Sequence, residues 1–147
     1  HFNVRTNPGL PAKPLHKIAS GGELSRISLA IEVANTGVRH KPVLIFDEVD
    51  VGIGGGVADR VGQYLQTLAK RSQVLCITHL AQVAAHATHH CKLCKSVSAD
   101  ETATQIVTLS HEEKIDEIAR MLGGMQLTAK TKQHAEELLQ ERAEYCD

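Results

Sequence analysis

Aromatic residues are scarce in this sequence: no tryptophan, two tyrosines and two phenylalanines among 147 residues, or 3%. With a net charge of −1 besides, nothing in the composition announces a nucleic-acid-binding surface. The four cysteines are too few and too scattered for a disulfide framework, and Cys76 lies inside an apolar run. That pattern points to a reducing cytosol. No apolar run approaches the ~20 residues that cross a bilayer, so no membrane partner is expected. Internal repeats, low-complexity segments and heptad runs are also missing. No initiator methionine and no basic-then-apolar leader precede His1-Phe2-Asn3, which favours an excised piece over a secreted protein. Finally, no Gly-x-x-x-x-Gly-Lys-Ser/Thr phosphate loop occurs.

What is present suits one soluble domain or subdomain with a real core, 42% apolar and 22% charged. Phe2 and Val4 alternate with polar neighbours as in an edge strand, and Asn7-Pro8-Gly9 reads as a turn. Ser20-Gly21-Gly22 opens a helix whose Leu24, Ile27, Ile31 and Ala34 share a face, and Asn35-Thr36-Gly37 stops it. Val43–Phe46 reads as a buried parallel strand. Val57, Val61, Leu65 and Leu68 mark a second helix, and Val74–Ile77 a second buried strand. Strand–helix–strand spacing of this kind implies a crossover in a parallel sheet. A short helix is expected after His79. A hairpin follows, from 91–97 and Gln105–Leu109, with Ala99-Asp100-Glu101-Thr102 as its turn. Ser110-His111-Glu112-Glu113 is a capping box for a helix carrying Ile115, Ile118, Ala119 and Leu122. A last helix runs from about Thr128 toward Glu144.

Three segments carry chemistry. In Ser20-Gly21-Gly22-Glu23, glycines let backbone approach an anion closely, and the helix start supplies free N–H groups and a positive dipole end. The same residues also make an ordinary helix start with a serine cap. Asp47 and Glu48 follow an apolar strand, at the carboxyl end where open α/β sheets bind ligands. Asp47 can hold a Mg²⁺ ion through water, and Glu48 can polarise an attacking water. The plainer alternative is that both simply face solvent. His79 follows the next apolar run and should reach the same sheet edge, although a post-strand histidine is commonly structural. The other eight histidines suggest no catalytic role. Cys91 and Cys94 have the spacing of half a zinc site, but no second pair follows, and a strand would turn them to opposite faces. Zinc is therefore not expected.

Taken in order, Lys17 to Arg26, Val43 to Glu48 and Thr78-His79 resemble the signature loop, Walker B strand and switch histidine of the ABC-type ATPases. Phe2 to Gly9, Pro14 to Lys17, Ile45 to Ile53, Thr78 to Ala84 and Ala119 to Gly124 narrow the likeness to the RecN family in the SMC-like branch. The resemblance covers nearly the whole chain. It implies an α/β P-loop NTPase fold of ABC type. Residues 1–147 would be the C-terminal lobe, a mostly parallel sheet flanked by helices, without the N-terminal Walker A lobe and the coiled coil. It implies ATP and Mg²⁺ as ligands, Glu48 and His79 as catalytic residues and Asp47 at the metal. Ser20, Gly21, Gly22 and Glu23 would meet ATP held by the opposite head, and Asp50 would lie in the D-loop that crosses between heads. The implied partners are the Walker A lobe, a second copy in an ATP-sandwiched homodimer, and DNA; the setting is the bacterial cytoplasm, at the nucleoid, and the process double-strand break repair. The isolated chain should be inactive. Two alternatives stay open: another SMC-type or transporter-type head, and a non-enzymatic docking or dimerisation module.

Overall fold

The computed structural model describes residues 3–5, 8–9, 11–17, 20–35, 43–97, 102–123 and 127–143. Strands β1 (Asn3–Val4) and β2 (Lys13–Pro14) form a short antiparallel ladder, followed by a 3-10 turn at Leu15–Lys17. Helix α1 (Gly21–Ala34), strand β3 (Val43–Phe46), helix α2 (Gly55–Ala69) and strand β4 (Gln73–Cys76) come next. The short helix α3 (Ala81–Ala84), the hairpin strands β5 (Cys91–Val97) and β6 (Thr102–Thr108), and helices α4 (His111–Gly123) and α5 (Ala129–Ala143) complete the order. The expected stop at Thr36-Gly37 and the hairpin turn at 99–101 lie outside the described residues.

β3 and β4 pair in parallel, from Val43 opposite Gln73 to Phe46 opposite Cys76, with α2 as the crossover. The parallel sheet is this one pair; the other two ladders among the described residues, β1–β2 and β5–β6, are antiparallel. One face of the pair packs Leu44, Phe46, Val74 and Cys76 onto Leu29, Val61, Leu65, Leu68 and Val83. Its other face carries Val43, Ile45, Leu75 and Ile77 and is open, with Ile45 70% and Ile77 53% exposed. The two strands read as fully buried are therefore buried on one side only, because an apolar run shows that both faces seek cover but not what supplies it.

The helices show the same division. On α1 the inward residues are Gly22, Leu29 and Val33, whereas Leu24 and Ile31, on the expected apolar face, are exposed. On α2, Val61, Leu65 and Leu68 are buried as the periodicity indicates, but Ala58 takes the inward place and Val57 is exposed. A second core joins α3, α4 and α5 through Ala81, Ala84, Ile118, Ala119, Ala135 and Leu138. The start of α4 is the anticipated capping box: Ser110 N donates to Glu113 Oε2 at 2.8 Å, and Glu113 N to Ser110 Oγ at 3.3 Å. In the hairpin Cys91 faces Thr108 and Cys94 faces Gln105, which puts the two thiols on opposite faces of β5.

Candidate nucleotide site

The start of α1 is a capping box that the sequence reading overlooked. Ser20 is extended (φ −63°, ψ 156°), its Oγ accepts from Glu23 N at 3.4 Å, and its N donates to Glu23 Oε2 at 3.3 Å. Glu23 thus turns back onto the cap. Ser20 stays exposed at the helix's positive end.

This helix start sits directly on the loop that leaves β3. Gly22 is buried, and a Cβ there would fall 2.9 Å from the Glu48 carbonyl oxygen and 3.1 Å from Val51 Cβ. A Cβ on Gly21 would fall 2.0 Å from Glu48 Oε2, so the carboxylate lies across the glycine. One turn on, Ser25 Oγ donates to the Asp47 carbonyl at 2.7 Å. Arg26 Nη1 donates to the carbonyls of Val51 at 2.8 Å and Val49 at 3.3 Å. Ser25 and Arg26 escaped the sequence reading. Their signal was position: three and four residues after Gly22, they share its face.

Asp47 and Glu48 are both exposed at the carboxyl end of β3. Asp47 Oδ1 accepts from Glu48 N at 2.8 Å. Glu48 has φ 58°, the sole positive φ on a non-glycine residue among those described. A side chain other than glycine visits that region rarely and at a cost, which the surrounding bonds must offset.

Asp50 is 2% exposed and points inward. Its Oδ2 accepts from Thr78 Oγ1 at 2.6 Å and from the His79 backbone N–H at 2.9 Å, and lies 3.1 Å from His79 Nδ1. Burial opposes its ionisation, but the bonds from Thr78 and His79 outweigh burial and hold its pKa below the ordinary aspartate value. Asp50 thereby joins the β3 loop to the β4 loop, where Ile77 N extends the ladder by donating to the Phe46 carbonyl at 2.9 Å. His79 is 70% exposed and projects from the junction. Nearby Cys76 has a thiol pushed up to about 12 by burial and by the charges of Asp50 and Asp47, so it is an inert core group.

The fold thus gathers Asp47, Glu48, Asp50 and His79 at one end of the parallel pair and sets Gly21 and Gly22 against Glu48. Among the described residues, no cluster of three or more His, Cys, Asp or Glu side chains is arranged to hold a metal by itself.

No family model matches the chain. It is 51% identical over 97% of its length to the DNA repair protein RecN of Xylella fastidiosa (strain 9a5c), and 51% identical over 94% to that of Vibrio cholerae. It is 46% identical over 95% to the Bacillus subtilis protein. The chain spans about a quarter of the length of these relatives. A solved SMC ATPase structure, from work on ATP-driven dimerization and DNA-stimulated activation, superposes with a TM-score of 0.54 at 21% identity. It covers 84% of this chain and 81% of that one, so the folds agree. The chain is thus similar in sequence to one part of the DNA repair protein RecN and in fold to an SMC ATPase.

Proposed function

We propose that the chain is the C-terminal lobe of a RecN-like ATPase head, which binds and hydrolyses ATP between two paired heads during DNA double-strand break repair in the bacterial cytoplasm. The observation that supports this most is the meeting of Asp47, Glu48, Asp50 and His79 at one end of β3–β4, against the start of α1. The open apolar face of β3–β4 supports a further lobe beside it, the one that would bring the phosphate loop. No helix among the described residues is long and apolar enough to cross a membrane.

Asp47 fits a magnesium site in its chemistry: an exposed carboxylate whose one oxygen is engaged by Glu48 N, leaving the other for a metal-bound water. A Mg²⁺ ion held there through water by Asp47 would offset the negative charge of the nucleotide's terminal phosphates. Glu48 accepts a proton from the attacking water. Ser20 and the free N–H groups of α1 receive the γ-phosphate of the nucleotide held by the opposite head. Ser25 and Arg26 tie that helix to 47–51, so a nucleotide seated on α1 bears on the loop that carries Glu48.

The test is reconstitution with a separately produced lobe carrying the phosphate loop. The chain alone should not turn over ATP; the mixture should. Glu48→Gln keeps the size of the side chain but takes no proton, and should slow turnover roughly 10²–10⁴-fold while nucleotide-dependent pairing persists. Turnover at the parent rate by the glutamine variant would remove Glu48 from the mechanism. A stable complex without turnover would favour the docking-module reading, which the lack of a phosphate loop in this sequence supports.

A further inference from the structure

We infer that Asp50 is a positioning residue that fixes the neutral His79 imidazole as its Nδ1–H tautomer and leaves the exposed Nε2 as a hydrogen-bond acceptor. Asp50 is held inside the fold, and one oxygen, Oδ2, meets Thr78 Oγ1, His79 N and His79 Nδ1 at 2.6, 2.9 and 3.1 Å. An ionised carboxylate can only accept. The ring nitrogen facing it must therefore carry the hydrogen, and in a neutral imidazole the other nitrogen is then bare. The backbone bond to His79 N fixes the residue that bears the ring and sets its Nδ1 beside the carboxylate charge, at a distance where a bare nitrogen lone pair would be repelled.

The consequence for chemistry rests on the ATPase reading above; the tautomer does not. A bare Nε2 cannot donate to a phosphate oxygen. It can accept from a water, and so it orients the nucleophile beside Glu48. Contact between Nε2 and the γ-phosphate through a donated hydrogen requires the ring to take up a second proton, with Asp50 as its counter-charge.

The experiment is a long-range proton–nitrogen correlation spectrum of the chain labelled with ¹⁵N-histidine, above the imidazole titration range, with the His79 signal assigned by His79→Gln. The expected pattern is that of an Nδ1–H imidazole. An Nε2–H pattern in the parent chain overturns the inference, whatever the variants do. Asp50→Ala removes the carboxylate that faces Nδ1 and should release the ring from the Nδ1–H pattern. Thr78→Val removes a bond to the same oxygen but not the ring contact, and should leave it unchanged. A switch in Thr78→Val equal to that in Asp50→Ala would mean that the tautomer follows local folding, and would also overturn the inference. ATP turnover by the reconstituted head is read separately. Its absence alongside an intact Nδ1–H signal defeats the ATPase reading and leaves the role of Asp50 toward His79 standing.

Discussion

Gly21 and Gly22 are adjacent and alike in sequence, yet their surroundings give them different tasks. A methyl group at 22 would meet backbone, the Glu48 carbonyl, at 2.9 Å, and Val51 Cβ at 3.1 Å. Neither can swing away without moving the strained Glu48 turn. Gly22→Ala should therefore cost about 1–3 kcal/mol, as overpacking typically does. A methyl group at 21 meets only the carboxylate end of Glu48, an exposed side chain free to rotate. Gly21→Ala should change stability by less than about 0.5 kcal/mol, the usual range for exposed positions. Urea denaturation of both variants checks the contrast, and equal losses would show that helix propensity, not the Glu48 turn, governs both. The glycine pair was legible as a loop where backbone approaches something closely. That Gly22 approaches the chain's own Glu48 was not, because the contact spans twenty-six residues and leaves no local pattern.

Elements whose neighbours lie within the chain were the ones legible from periodicity. α4 shows its capping box and its inward Ile118 and Ala119 in the sequence, and α5 supplies the residues that cover them. What periodicity does not show is the polar clamp on α4. Glu117 is nearly buried and binds Arg120 Nη2 at 2.6 Å and Lys92 Nζ at 2.5 Å, which fastens α4 to β5. The Arg120 hydrogen bonds pull its pKa down to about 2; burial opposes them, and Lys92 adds to the lowering. The folded-state value lies below the unfolded one, so the clamp's contribution is present in full above the ordinary glutamate range. It is lost as pH falls from about 4.5 toward about 2. Acid unfolding of the parent should therefore be steeper in that window than acid unfolding of Glu117→Gln, which should be less stable at neutral pH. Parallel acid titrations followed by circular dichroism measure this, and superimposable profiles in that window would show that the clamp carries no acid-sensitive stability.

For the molecule as a whole, the sequence pattern foretold more burial than is found among the described residues. Val43, Ile45, Leu75 and Ile77 were read as core, as their unbroken apolar runs suggest, but they form an open face on the two-stranded sheet. Leu24 and Ile31 on α1 lie open in the same way. Such positions are legible as needing cover, while a partner for the face leaves no pattern in the runs themselves; the chain spans about a quarter of the length of its RecN relatives. That difference gives a prediction which separates a docking face from an ordinary surface. Ile45 and Ile77 have little burial to lose, so Ile45→Asp and Ile77→Asp should leave the chain's own stability within about 0.5 kcal/mol of the parent. Against a separately produced phosphate-loop lobe, each isoleucine would become buried, which is worth roughly 1.5–3 kcal/mol per side chain. A buried, unpaired aspartate in its place adds a desolvation penalty on top. Each variant should then bind that lobe at least tenfold more weakly by calorimetry, since about 1.4 kcal/mol is a factor of ten. Lys130→Asp, an exposed position at the start of α5, which belongs to the second core and not to this face, should bind as the parent does. If Ile45→Asp and Ile77→Asp bind as tightly as Lys130→Asp, that lobe does not sit on this face, and the sheet must complete itself against something else.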